Sequence, residues 1–556
     1  MEIAPAFSLL REPWIPCEAM DGGTVHLSIR DVFDGAHEVR EIRGDSPPQS
    51  FAILRVLLAI FWRAHHPETQ VATDETFDFA EWFEDTWELI DEPDEAVLRY
   101  LEEYENRFYL IHPKAPFMQV ADLHTVKGER DPVTRIIPDA QATYFTMRSG
   151  AGATSLSLAE AARNLIYVQA YDYAGIKSGA VGDPRVKKGK GYGSSLGWNG
   201  FIGGTVILGK NLRETLLLNT VAEVLTFKSD HPVWEREPDT AMARADRTGQ
   251  EQSYPEMPQG PADLATWQSR RVRLFIEDGL VVGVMVSNGD KIPDAGANIL
   301  IDPMTPYRYS KGKSKKDKPV YYASRFSAWR TTWQAIEPLI MIGGDPGTDT
   351  QNSSLHPRTL SQLADLELDI DLPDLVDVRL ISVEYGVQSA VVETVVDQRV
   401  GVAMELLRQN AGQQRALVAA TVAATKEAGK WLGVYGGQLL QAGGGEYEFD
   451  AKSTDSLLAT VEPRFLLWLR RMRLENLESH VSLWHSELFE VILSFADEML
   501  RSAGSKAWVG SEISGEGQKI ISAETAYRQL IWRLNKVLNY RVKKNGGDNY
   551  DAGSEK

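Results

Sequence analysis

Apolar positions recur with a period near 3.6 in several long stretches of the chain and alternate in a few shorter ones. Asp45-Ser46-Pro47-Pro48 followed by QSFAILRVLLAIFWRAHH predicts a capped, Pro-initiated and largely buried helix. FDFAEWFEDTWELI and EAVLRYLEEYENRFYL, around residues 77 to 110, predict two more helices with aromatic anchors. Asn211 with Glu214 resembles a capping box opening the helix LRETLLLNTVAEVL. Arg270 to Asp290 holds two β-rich runs around Glu277-Asp278-Gly279 and predicts a hairpin. A βαβ rhythm is absent from this part, which points to α+β rather than a doubly wound sheet. The pattern changes at the acidic stretch LELDIDLPDLVD, residues 366 to 377, and after the short strand-like VRLISVEYGV it turns helical. Gly401 to Leu440, then PRFLLWLRRMRLENLESHVSLWHSELFEVILSFADEMLRS, then SAETAYRQLIWRLNKVLNYRVKK, are long amphipathic segments with short connections.

The expected fold class is therefore α+β. A large mixed α/β domain with hairpins covers 1–375, an antiparallel four-helix bundle covers 376–545, and a disordered tail covers 546–556. At 556 residues the chain exceeds one ordinary core, and 43% apolar with 25% charged residues is a globular balance. Cys17 is the only cysteine, so an intramolecular disulfide and cysteine zinc sites are excluded. The longest apolar runs, such as Leu57 to Trp62, are too short to span a bilayer, and the chain opens without a signal-like segment. These features point to a soluble, cytoplasmic protein with no membrane partner.

Charge changes the picture in one respect. The net charge of -19 argues against a protein that coats nucleic acid nonspecifically. A small basic site on an acidic body stays possible, because attraction follows local charge within roughly a Debye length of about 8–10 Å.

The stretch GKGYGSSLGWNGFIGGT, Gly189 to Thr205, holds seven glycines and follows Arg185-Val186-Lys187-Lys188. Three readings compete for so much bare backbone beside positive charge. A nucleotide-phosphate loop needs GxxxxGK[ST] or GxGxxG after an apolar strand, and Gly191-Tyr192-Gly193 is only a fragment of either. Gly193-Ser194-Ser195-Leu196-Gly197 satisfies G-x-S-x-G, which would make Ser195 the nucleophile of a serine hydrolase. The elbow, however, needs a hydrophobic strand before it and a helix after it. The third reading is a nucleic-acid groove: glycines let backbone approach a ligand, and the lysines attract phosphates. YRYSKGKSKKDK, Tyr307 to Lys318, and Arg464, Arg470, Arg471 and Arg473 form two further basic stretches, each also readable as a solvated or ion-paired surface. His112 reads as a structural hydrogen-bonder. No catalytic constellation, metal-ligand spacing or cofactor motif stands out, so the chain reads as a non-enzyme with no cofactor and no metal.

Four stretches in order resemble the large subunit of the type I-E CRISPR surveillance complex Cascade, the CasA family. They are SLLREPWIPCEAMDGG near the start, RFYLIHPKAPFMQV at Arg107 to Val120, the glycine run leading into GTVILGKNLRETLLLN, and PLIMIGGDPGTDTQNSS at Pro338 to Ser354. The resemblance covers nearly the whole chain, terminal bundle included. It implies a subunit that reads the protospacer-adjacent motif of double-stranded DNA from the minor groove, helps open the duplex and form an R-loop, and recruits a separate helicase-nuclease. Guide RNA, target DNA and other Cascade subunits are the implied partners. The family's glycine loop falls on Gly189, Gly191, Tyr192, Gly193 and Ser194, with Lys187, Lys188 and Lys190 near the phosphates, although the insert SGAVGDPRVKK leaves its register open by a few residues. Its lysine finger falls on Lys291, its wedge on Gln351 and Asn352, and its guide-RNA loop on Phe145 and Arg148 within TMRSGAGATS. A scaffold that meets only guide RNA and protein partners is the alternative.

Overall fold

The computed structural model describes residues 4–67, 77–138, 150–247, 255–315, 318–327, 336, 339–341, 354–366, 372, 374–513 and 519–539. The chain divides into two compact units, Met1–Asn410 and Ala411–Lys556.

The first unit is built around the helix Pro47–Ala64. The Ser46 hydroxyl accepts from the Gln49 amide and proline occupies the first turn, the start signal read from the sequence. Almost all of its residues are buried, so the helix is apolar around its circumference rather than along one stripe. Even Arg55 is inside, paired with Asp302 at 2.8 Å, and Asp302 also accepts from the Trp198 indole at 2.6 Å. A buried charge is tolerated when paired and hydrogen-bonded in this way. Helix Leu158–Tyr171 packs against it and is closed by a reciprocal cap between Ser157 and Glu160.

The predicted helix after Asn211 is shorter than its apolar pattern suggests. It runs Leu212–Leu218 and resumes as a single 3-10 turn at Ala222–Leu225. The break has a cause in Asn219, whose side chain bonds both the amide and the carbonyl of Ile207 instead of pointing to solvent. The hairpin Arg270–Glu277 with Leu280–Asn288 forms as predicted, turning through Asp278 and Gly279 with φ of 50° and 77°, a type I′ geometry.

The boundary between units differs from the expected 375/376. Leu375–Tyr385 and Val392–Ala403 form a long antiparallel pair, and Leu375–Tyr385 also pairs with Gly204–Leu208. This three-stranded sheet keeps everything up to Asn410 in the first unit. In VETVVDQRVGVA the valines and threonine favour an extended chain, and the partner that makes it a strand lies in the first unit.

Among the described residues the second unit has four long helices, Gly412–Ala442, Ala451–Arg471, Leu477–Ser502 and Ala523–Leu538. Successive helices run in opposite directions. Phe465 meets Trp484 at 5.0 Å and Arg464 pairs with Glu487 at 3.1 Å between the second and third. Tyr435 meets Tyr527 at 6.1 Å between the first and fourth. The Trp484 indole donates to the Thr425 hydroxyl at 2.9 Å, tying the third helix to the first. A small hairpin, Ser511–Ile513 with Lys519–Ile521, joins the third and fourth.

Candidate nucleic-acid interface

The glycine run is not one loop. Gly175–Ser178, Val186–Lys187 and Lys190–Ser194 form a three-stranded antiparallel sheet with Lys190–Ser194 in the centre. Lys187 and Lys190 face each other across a two-residue turn in which Lys188 and Gly189 have φ of 52° and 74°. Positive φ at both positions is the type I′ requirement, and glycine meets it without strain. Gly193, at φ 76°, lies where the central strand carries one residue more than its neighbour between Gly175 and Lys177, a bulge. Nothing lies within 4 Å of where a side chain on Gly189 or Gly193 would begin. Lys187, Lys188 and Lys190 are exposed on the same hairpin, and Tyr192 is 48% exposed. The Ser194 hydroxyl donates back to the Gly175 carbonyl at 2.6 Å.

The second half of the run serves packing. A Cβ on Gly197 would run into the Ala170 carbonyl, and one on Gly204 would sit 2.5 Å from the Phe51 ring. Trp198–Gly200 is a single 3-10 turn, and the Ser195 hydroxyl donates to the carbonyl of its neighbour Leu196 at 3.3 Å. No strand-to-helix elbow is formed, and among the described residues no histidine bonds Ser195. Among the described residues the hydrolase reading therefore finds no histidine to activate its nucleophile.

Beneath the sheet lies a charge cluster that sequence reasoning missed. Asp172 is fully buried and accepts both guanidinium nitrogens of Arg135 at 2.9 and 3.0 Å, the Lys177 ammonium at 3.0 Å, and Arg270. Burial alone would raise the Asp172 carboxyl, but Arg270, Arg135 and Lys177 override it and hold it far below the usual carboxylate range. Burial pushes Lys177 down to about 7, against the pull of Asp172 and reinforced by Arg270 and Arg135. One carboxylate shared by three cations leaves the lysine the easiest to discharge. Lys177 lies 4.0 Å over the Tyr173 ring and donates to the Tyr173 carbonyl at 2.9 Å, and Arg270 donates to the Ser195 carbonyl at 2.7 Å. The cluster thus anchors the end of the glycine sheet at which Gly175 pairs with Ser194.

Lys291 is exposed, and the backbone before it is pinned. The Gly289 amide donates to the Ser269 carbonyl at 3.1 Å, the Asp290 amide to Gln268 at 2.9 Å, and the Trp267 indole to the Asp290 carbonyl at 2.9 Å. Asn288, which ends the preceding strand, donates to the Tyr192 carbonyl at 3.0 Å. The structure thereby brings the glycine strand and the Lys291 turn to one place. Gln351, Asn352, Phe145 and Arg148 lie outside the described residues.

The second basic stretch is a built hairpin, Tyr307–Tyr309 with Tyr321–Ala323, exposing Arg308, Lys311, Lys313, Lys315 and Lys318. In the third stretch Arg464 is committed to Glu487. His112 is structural: its Nδ1 accepts from the Ala115 amide at 2.8 Å. Among the described residues Asp31, Asp34 and His37 bring ligand atoms within 4.8 Å of one another, but the Asp31 carboxylate already accepts from the Ser28 amide at 2.7 Å as a helix cap. Among the described residues no helix is long and apolar enough to cross a membrane.

Residues 8–495 match the sequence profile of the family described as CRISPR-associated protein Cse1. The chain belongs to that family. CasA/Cse1 of Thermus thermophilus is 30% identical over 289 residues, 49% of this chain and 50% of that protein, so the aligned part spans half the length of that relative. The crystal structure of Thermobifida fusca Cse1 is similar with a TM-score of 0.82 at 32% identity, covering 97% of this chain and 99% of that one. A chain of a CRISPR RNA-guided surveillance complex has a TM-score of 0.63 at 17% identity, covering 96% of this chain and 100% of that one, a likeness of fold alone. The Cse1 fold thus spans both units. The supports of its glycine strand, Asn288, Arg185 and Asp172, carry no local sequence signal, because their partners lie about a hundred residues away.

Proposed function

We propose that this Cse1-family chain is the large subunit of a type I-E RNA-guided surveillance complex, Cascade, and that it reads the protospacer-adjacent motif of duplex DNA from the minor groove. The observation that carries the reading is the Val186–Ser194 hairpin. It offers side-chain-free backbone at Gly189 and Gly193 with nothing within 4 Å of their Cβ positions, flanked by exposed Lys187, Lys188 and Lys190. Backbone and a flexible lysine suit the degenerate minor-groove code, which favours tolerance of several motifs over bidentate base reading. The lysines hold phosphates, and each neutralised phosphate adds a salt-dependent increment to binding. Lys291 supplies the second contact from its pinned turn.

Gln351 and Asn352 act as the wedge at the first base step, where unstacking costs a few kcal/mol, offset once the guide pairs. Sequence beyond the motif is left to guide-RNA pairing, the division of labour of RNA-guided effectors generally. Phe145 and Arg148 are assigned to guide-RNA contact by the family resemblance. The C-terminal unit is a four-helix bundle that meets other Cascade subunits and helps recruit the helicase-nuclease in trans. The chain performs no chemistry itself and needs no cofactor.

The test is duplex binding by the assembled complex at fixed, stated salt. Motif-bearing targets are expected to bind at least tenfold more tightly than motif-scrambled ones, the discrimination that one or two base-edge contacts supply. Equal binding to both, with assembly and guide-RNA pairing intact, would leave a scaffold that meets only RNA and protein.

A further inference from the structure

Two elements assigned to DNA, the Lys190–Ser194 strand and the exposed Lys291, come from segments a hundred residues apart, and one side chain joins them. Asn288 is 4% exposed. Its carboxamide nitrogen donates to the Tyr192 carbonyl at 3.0 Å, and it lies so close over Gly191 that a Cβ there would sit 2.9 Å from that nitrogen. Its Oδ1 is buried and has no hydrogen-bond partner among the described residues.

Arg185 clamps the same point from the other side. It donates to the Asn288 carbonyl at 3.1 Å and the Gly289 carbonyl at 2.8 Å, and is itself held by the buried Asp183 carboxylate at 2.9 and 3.0 Å. Arg185 begins the lysine hairpin, whereas Gly289 lies two residues before Lys291. Ile292 is buried immediately after it, so Lys291 projects between two fixed residues.

We propose that Asn288, clamped by Arg185, joins the glycine strand and the base of Lys291 into one rigid reading head, so that a duplex is engaged by both elements or by neither. This rests on the reading of Gly189–Ser194 and Lys291 as the motif-binding elements. Asn288 and Arg185 are positioning residues: neither needs to touch DNA. Their effect is to fix the spacing between the backbone of Tyr192 and Gly193 and the lysine stem, and so the depth and register at which a groove is met.

The experiment has two arms on the full-length chain. Hydrogen exchange in the absence of DNA reads the bridge itself. In Asn288→Ala the amides of 190–194 and 289–292 are expected to exchange up to about tenfold faster, the effect of losing one buried hydrogen bond, while those of Pro47–Ala64 stay as in the wild type. Unchanged exchange at 190–194 overturns the proposal. Arg185→Gln repeats the measurement on a second variant if Asn288→Ala perturbs the wider fold.

Duplex binding by the assembled complex reads the consequence. Lys291→Ala weakens motif-bearing DNA by some factor in the wild-type background, and that factor is expected to fall towards one in the Asn288→Ala background. The same factor in both backgrounds overturns the proposal, because independent elements multiply. If neither Lys291→Ala nor Gly193→Asp alters motif preference, the motif reading has failed, and the exchange arm still decides whether the bridge exists.

Discussion

Gly189 and Gly197 lie eight residues apart and answer to different constraints. Gly189 needs a positive φ in open solvent, whereas Gly197 needs empty space beside the Ala170 carbonyl. Substitutions therefore diverge. Gly197→Ala is expected to cost about 1–3 kcal/mol by overpacking. Gly193→Asp should cost no more than about 1 kcal/mol, because aspartate enters the left-handed region more readily than most residues and the site is open. Urea unfolding of the two variants checks the contrast. Composition made the glycine run visible and set charge beside it. It could not sort the glycines, because a requirement on φ and a requirement on space look alike in sequence.

Lys177 gives a pH signature at the same scale. Its folded value of about 7 lies below the roughly 10.4 of an exposed lysine. Between those limits the unfolded chain holds the proton and the folded chain does not, so stability rises with pH. The contribution is complete above about 10.4 and is lost as pH falls through 7. The stability of wild type relative to Lys177→Met should thus grow from pH 7 to pH 10, by at most about 1.4 kcal/mol per unit. A flat difference across that range would contradict the discharge of Lys177 by burial.

Among the elements, helices with a cap and a sustained 3.6-residue period were legible, as Ser46 with Pro47–Ala64 illustrates. The place of the strand Val392–Ala403 was not. Its partner Leu375–Tyr385 lies just across a short turn, but what fixes that hairpin in the first unit is the pairing of Leu375–Tyr385 with Gly204–Leu208, far back in the chain, and pairing at that range leaves no local period to read. This shifts the boundary, and fragments test it. Residues 1–410 are expected to unfold cooperatively as a soluble unit. Residues 1–375 would lose the sheet, expose Gly204–Leu208 as an unpaired edge and aggregate. Equal solubility of the two fragments, followed by size-exclusion chromatography, would contradict the sheet's role. The lysine hairpin makes its own prediction: replacing Lys187, Lys188 and Lys190 with alanine should flatten the salt dependence of duplex binding by up to about 0.9 per lost phosphate contact, equally for motif-bearing and scrambled DNA. A change confined to motif-bearing DNA would make these lysines readers rather than phosphate contacts.

Over the whole molecule, a net charge of -19 coexists with exposed basic hairpins at Val186–Ser194 and Tyr307–Ala323. Such a body repels DNA except where a local site overcomes it, which suits recognition of one short feature over general adhesion. Family membership was readable from four motifs in order, whereas the meeting of the glycine strand with the Lys291 turn was not, since it depends on contacts between the 185–194 and 288–291 segments. Whether the glycine strand reads the motif is decided by duplex binding of the assembled complex carrying Gly193→Asp with Lys190→Glu. Both positions are exposed, so neither change disturbs the core. Normal assembly, unchanged guide-RNA pairing to single-stranded target, and loss of the preference for motif-bearing over scrambled duplex are expected. Preference retained at the wild-type ratio would contradict the reading, and would make the glycine strand a structural turn with the motif read elsewhere.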